Sequence, residues 1–219
     1  MNVVISGANR GIGLELCKAY LNRGHHVIGL CRKASPELLG SGAQVLEGTD
    51  VTVPDSLLSL SDRIELEQID ILINNAGLLR SQPWDGLEFQ PILDQFQVNS
   101  VGPLLLSKAL ERKLVQGSKL VMITSRMGSI ADNSSGGSFG YRMSKAALNA
   151  ATKSLAIDLK PRGIIVALLH PGLVKTDMTG KTGHLTPLES AELLLKRIDE
   201  YQLGNSGRFL HANGESLPW

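Results

Sequence analysis

Tyr141 stands four residues before Lys145 in "SFGYRMSKAALNA" (residues 138–150), at the mouth of an alanine-rich run with almost no charge. Residues i and i+4 are neighbours on a helix surface, so a phenol and an ammonium share one face there. A cation beside a phenol favours its ionised form, which makes the pair a candidate for proton transfer. The same spacing also suits an ordinary first turn whose lysine lays its stem along apolar surface. The rest of the chain has to decide between the two.

A second candidate is "SGANRGIG" (6–13), which follows the apolar run "NVVIS" (2–6) and opens a helical pattern. Gly7 permits a tight exit from a strand, while Gly11 and Gly13 let backbone approach a pyrophosphate and the sheet closely. With Asn9, Arg10 and Ile12 they form a turn ending at a helix N-terminus, whose unpaired N–H groups favour an anion. In such turns an acid about 20 residues further on holds the ribose of NAD(H). Here the second strand ends in "GLCRKAS" (29–35), with no acid before Glu37. Arg32 stands where the acid would, Lys33 follows, and Arg10 and Arg32 can hold a 2′-phosphate through charge-assisted contacts. The expected cofactor is therefore NADP(H).

The elements that must position these groups are legible along the whole chain. Candidate strands are 2–6, 26–31, 43–48, 70–74, 119–124, 164–170 and 207–212. Helical patterns lie near 11–23, 54–66, 90–114, 141–160 and 187–202. The strands are continuously apolar rather than alternating, as in a parallel sheet covered on both faces. The alternation predicts an α/β fold, a single doubly wound domain over residues 1–219 with a mostly parallel seven-stranded sheet and helices on both faces.

A chain of 219 residues can bury a full core, and a formal net charge of +1 argues against a nucleic-acid partner. Cys17, Cys31 and the five histidines show no metal-ligand spacing. The first apolar run stops at Gly7, too short for a secretory or membrane segment, so the expected location is the cytoplasm, with no membrane partner.

In order along the chain, "SGANRGIG", "TDV" (49–51), "NNAG" (74–77), Asn99, "ITSRMG" (123–128), "YRMSK" (141–145) and "HPGLVKT" (170–176) resemble the short-chain dehydrogenase/reductase family over essentially the whole length. Within it, "TSRMGSIADNSSGGSFGYRMSKAALN" and "SGRFLHANGESLPW" resemble C-factor-like proteins, with sniffer-type carbonyl reductases next. The resemblance implies an NAD(P)-binding Rossmann domain and hydride transfer between nicotinamide and a carbonyl or alcohol. Tyr141 would be the general acid/base, Ser125 would hydrogen-bond the substrate oxygen, and Lys145 would favour phenolate and hold the nicotinamide ribose. Bringing a phenol of pKa near 10 to neutrality takes about 4 kcal/mol, shared between Lys145 and the oxidised cofactor's positive ring.

Asn99 would give its backbone carbonyl to a water leading from Lys145 to solvent. Pro103, four residues on, has no N–H to occupy that carbonyl and should kink the helix. Asp50 and Val51 would contact adenine; Asn75, Ala76 and Gly77 would line the adenosine ribose. After the Pro171–Gly172 turn, Val174 and Thr176 would meet the nicotinamide carboxamide, whereas Asn74 reads as a sheet-end hydrogen-bonder. The Ser125-to-Tyr141 interval is about three residues longer than the family norm, with "DNSSGGS" (132–138) absorbing the length. Thr124 and Ser129 stand as alternatives to Ser125.

The substrate loop near 176–187 is short, which implies an open pocket for small carbonyls or alcohols. Trp84 and Phe139 are candidate lining or mere packing, and Trp219 either closes a pocket or pins the tail. Helices 141–160 and 90–114 are the expected contacts of a homodimer or homotetramer. The rival to a reductase is a cofactor-binding, C-factor-like signalling protein whose turnover is incidental.

Overall fold

A computed structural model describes residues 1–219. Seven strands form one sheet in the order β3-β2-β1-β4-β5-β6-β7. They are β1 (Asn2–Ser6), β2 (His26–Leu30), β3 (Gln44–Leu46), β4 (Ile69–Asn74), β5 (Leu114–Ile123), β6 (Ile165–His170) and β7 (Phe209–His211). Every pairing between them is parallel, so the sheet is wholly rather than mostly parallel.

The strand sequences explain the two layers. Val3, Ile5, Ile71, Ile73, Val121 and Ile123 face helices α1 (Gly11–Asn22) and α8 (Pro187–Glu200). Their neighbours Val4, Leu72, Leu120 and Met122 face the opposite core, which α6 (Gly102–Leu110) and α7 (Phe139–Asp158) cover. Successive side chains point to opposite faces, and both faces are buried, so an unbroken apolar run is what each strand requires.

The helices depart from the sequence pattern in three places. Residues 54–66 form two short pieces, α3 (Pro54–Leu58) and α4 (Leu60–Arg63), and a further short helix, α2 (Pro36–Leu39), starts at a Ser35 cap. Residues 90–114 divide into α5 (Phe89–Phe96), a π turn over Gln97–Val101, and α6. The interruption sits just before Pro103, where an interior N–H is missing. That pattern also ends sooner than its apolar spacing implied, because β5 begins at Leu114. The register slips between Ile69/Leu114 and Ile71/Lys119, and Gly117 takes a φ of 87° in the slip. Only the regular part of β5, from Lys119, reads as a strand by pattern. No helix is long and apolar enough to cross a membrane.

Candidate functional site

The carboxyl ends of β1 and β4 lie side by side where the chain's path through the sheet reverses, the place where such sheets bind ligands. A cavity of about 610 Å³ opens there, and it runs from Arg32 beyond β2 to Tyr141 and Lys145 on α7.

The glycine turn forms its floor. Gly7 and Gly11 have φ of 65° and 56°, in the left-handed region. Gly13 has ordinary dihedrals but no space: a Cβ there would lie 2.2 Å from the Gly7 oxygen and 2.5 Å from Asn75 Nδ2. A Cβ on Gly11 would meet only the Thr176 methyl, at 3.5 Å. Gly13 thus serves packing beneath the turn, whereas Gly11 keeps the cavity side clear. Ser6, at the end of β1, accepts hydrogen bonds from the N–H groups of Asn75 and Ala76 at 3.1 and 3.2 Å. Asn75 Nδ2 in return donates to the carbonyls of Ser6 and Gly7 at 3.1 and 3.2 Å. The "NNAG" loop and the glycine turn are therefore one hydrogen-bonded unit, and the Asn75 side chain is committed to it. Asn74 donates to Ser107 Oγ at 3.1 Å, the sheet-end role expected of it.

Gly7, Asn9, Arg10, Gly11, Ile12, Arg32, Asp50, Val51, Asn75, Ala76, Gly77, Pro171 and Thr176 all line the cavity. Gly13, Gly172 and Val174 do not line it; Val174 bridges Leu185 and closes the loop between them. Arg10 pairs with exposed Asp177 at 3.3 Å rather than standing alone, while Arg32 and Lys33 are exposed and carry no ion pair. One Asp50 oxygen accepts from both the N–H and the hydroxyl of Thr52.

Helix α7 brings the chemistry to this floor. Gly136, Gly137 and Ser138 all take left-handed conformations ahead of it, and Arg142 Nε reaches back to the carbonyls of Gly136 and Gly137. A Cβ on Gly140 would lie 2.7 Å from Gln95 Nε2, so α5 presses directly on the start of α7. Tyr141 and Lys145 are both buried. Burial raises the pKa of the Tyr141 phenol above the ordinary value, and the neighbouring Ser125 hydroxyl, which follows β5, partly offsets this. Burial also lowers Lys145 to about 8. The Lys145 ammonium donates to the Ile123 carbonyl at 3.0 Å and sits 5.9 Å from the centroid of the Tyr141 ring. No hydrogen bond joins that ammonium to the phenol oxygen.

Ser125 is the hydroxyl beside the phenol. Thr124 donates to Asn149 Oδ1 at 2.6 Å, and Ser129 donates to the Trp219 carbonyl at 3.1 Å. Trp219 pins the tail: its carbonyl also accepts from Ala131 N–H at 2.9 Å, and its ring packs on Phe209. Asn99, fully buried, pairs through its carboxamide with both the N–H and the C=O of Leu78 at 2.7 Å, and donates to Ser144 Oγ at 2.9 Å. It lies in the π turn, where the Gly102 N–H reaches the Gln97 carbonyl, and it fastens that turn to α7. Trp84 packs on Phe139 with ring centroids 5.5 Å apart and the rings tilted, but the residue is 72% exposed and outside the cavity lining.

The sequence pattern shared by short chain dehydrogenases matches residues 1–185 of this chain. The chain belongs to the short-chain dehydrogenase family. C-signal of Myxococcus xanthus is 42% identical to it over 156 residues, which is 69% of this chain and 93% of that protein. Among solved structures, the carbonyl reductase Sniffer of D. melanogaster superposes with a TM-score of 0.92 at 35% identity, covering 100% of this chain and 99% of that one. An NADPH-bound carbonyl reductase from chicken fatty liver gives 0.90 at 30% identity, covering 100% and 98%. Both expected likenesses, to C-factor-like and to sniffer-type members of the family, are thus present.

Two features were hidden from the sequence. Gln95, without exposure, supports both the start of α7 and the N–H of Arg80; a lone glutamine in a helical pattern carries no signal of this. Arg80 lines the cavity from a loop that no motif marked.

Proposed function

We propose that this chain is an NADP(H)-dependent oxidoreductase that interconverts small carbonyls and alcohols. The observation that carries this reading is the position of Tyr141 and Lys145 on the wall of a cavity floored by the glycine turn, with Ser125 beside the phenol. The residues present suit the cofactor. Helix α1 has no acidic residue in its first turn, Gly11 leaves its cavity side open, and Arg32 and Lys33 offer cations where an acid would reject a 2′-phosphate. The carbonyl reductase from chicken fatty liver carries NADPH, which supports the same choice.

When bound, the nicotinamide supplies or accepts the hydride. Ser125 holds the substrate oxygen, and Tyr141 donates its proton to that oxygen in reduction or removes it in oxidation. Burial holds the phenol protonated until a positive charge favours phenolate, so Tyr141 is set as an acid for reduction. Lys145 holds the ribose hydroxyls and supplies a through-space positive charge. The Asn99 carbonyl, which Pro103 deprives of its i+4 donor, offers a water a route from Lys145 to solvent. Asp50 and Val51 meet adenine, Ala76 and Gly77 the ribose, and Thr176 the carboxamide.

Fluorescence titration tests the cofactor. NADPH should bind at least about tenfold more tightly than NADH, and Arg32→Ser should remove most of that difference by weakening NADPH alone. Equal affinities in the wild type would end the 2′-phosphate reading. A pH series tests Lys145. The amine carries its charge below about 8, so NADPH affinity should hold to that pH and fall several-fold above it. In Lys145→Arg, which stays charged, the fall should vanish.

The likeness to C-signal favours a second reading, a cofactor-holding signal protein. Tight NADPH binding with no turnover across a wide panel of ketones and aldehydes would select it. A homodimer or homotetramer completes the proposal: Phe89, Leu93, Phe96, Val101 and Leu104 leave apolar surface along α5, the π turn and α6.

A further inference from the structure

Arg80 has no part in the roles above, yet it lines the cavity together with Tyr141. Its loop leaves β4 and packs on α5, whereas Arg32 follows β2 on the other side of β1. The two arginines therefore serve opposite ends of the cavity.

The backbone that carries Arg80 is held at two points. Asn99 pairs with both polar groups of Leu78 at 2.7 Å, and buried Gln95 accepts the Arg80 N–H at 2.8 Å while donating to the Pro91 carbonyl at 3.0 Å. The side chain is oriented as well: Nη1 donates to Asp94 Oδ2 at 2.9 Å, and the other Asp94 oxygen accepts from Gln90 at 2.9 Å. The Nε–Nη2 edge of the guanidinium makes no hydrogen bond within the protein, and the side chain is 51% exposed. A planar fork fixed through one nitrogen, on a residue that lines the cavity, keeps two N–H donors of its other edge unpaired, which match the two oxygens of a carboxylate.

We propose that Arg80 is a specificity residue that binds the carboxylate of an acidic carbonyl substrate while Tyr141 meets the carbonyl. This rests on the reductase reading above. The preferred substrates are then oxo-acids and carboxylated aldehydes rather than neutral carbonyls.

The test compares 4-carboxybenzaldehyde with its methyl ester, using the full chain and NADPH, in wild type, Arg80→Met and Arg80→Lys. Wild type should favour the acid in kcat/KM by about tenfold or more, since the contact is charge-assisted. Arg80→Met should erase that preference by raising KM for the acid, leaving kcat for the ester within about twofold; Arg80→Lys, a point charge, should retain part of it. A wild type without acid preference, or an equal loss on both substrates in Arg80→Met, overturns the proposal. Benzoate binding to the NADP⁺ complex, followed by calorimetry, needs no turnover. Arg80-dependent benzoate binding without reduction of any carbonyl would keep the anion site and remove the reductase reading. Reduction of carbonyls with benzoate binding indifferent to Arg80 would remove the anion site alone.

Discussion

Tyr141→Phe should cut the turnover of any carbonyl substrate by about a thousandfold, within the usual range for loss of a positioned general acid. The substitution removes one oxygen and keeps the ring, so the buried packing at the start of α7 survives. Ser125, the hydroxyl beside the phenol, keeps the Met127 N–H as its partner at 3.1 Å. Lys145 stays anchored on the Ile123 carbonyl. NADPH affinity should therefore stay within about twofold of wild type, and the melting temperature should barely move. Stopped-flow or steady-state rates beside a binding titration give both numbers. A variant that keeps more than about a tenth of wild-type turnover would show that the proton comes from elsewhere.

The second large effect separates two glycines of one turn. Gly13→Ala places a methyl 2.2 Å from the Gly7 carbonyl oxygen and 2.5 Å from Asn75 Nδ2, both parts of the unit that joins β1 to β4. The nearest of these atoms is backbone and the Asn75 amide is tied by two hydrogen bonds, so the loss should reach about 3 kcal/mol or more, and little folded protein should be recovered. Gly11→Ala meets only the Thr176 methyl at 3.5 Å and has a φ of 56°, so the protein should fold with a loss of about 1 kcal/mol. Its NADPH affinity should nevertheless fall at least about tenfold, because the methyl occupies the space left for the pyrophosphate. Urea unfolding and NADPH titration of the two variants together check this. Equal behaviour of the pair would show that the cavity side of Gly11 does not face the cofactor.

Much of this was legible in the sequence because the strands of a doubly covered parallel sheet have a simple signature. β1, β4 and β6 fall within a residue of their apolar runs. The glycine turn and the Tyr141–Lys145 pair were legible because each is local: a turn and one helix face fix their geometry. What pattern could not give depends on partners far along the chain. The π turn at Gln97–Val101 coincides with Asn99 bridging to Leu78 and Ser144, contacts made across 21 and 45 residues. The choice of Ser125 over Thr124 and Ser129 depends on Asn149 and Trp219 engaging the other two hydroxyls. The backbone that carries Arg80 is held by Gln95 and, at Leu78, by Asn99, and no spacing in the sequence joins these.

The position of β1 in the middle of the sheet has a kinetic consequence. Val3 pairs with Val27 on one side and with Ile71 on the other, so the second pairing closes a loop of almost seventy residues. On a ribosome β1 waits, half paired, until β4 emerges, and the bonds between Ser6 and Asn75 form in that same closure. The nucleotide crevice is therefore assembled when the sheet closes and not before, and slow unfolding should open the crevice and the sheet together.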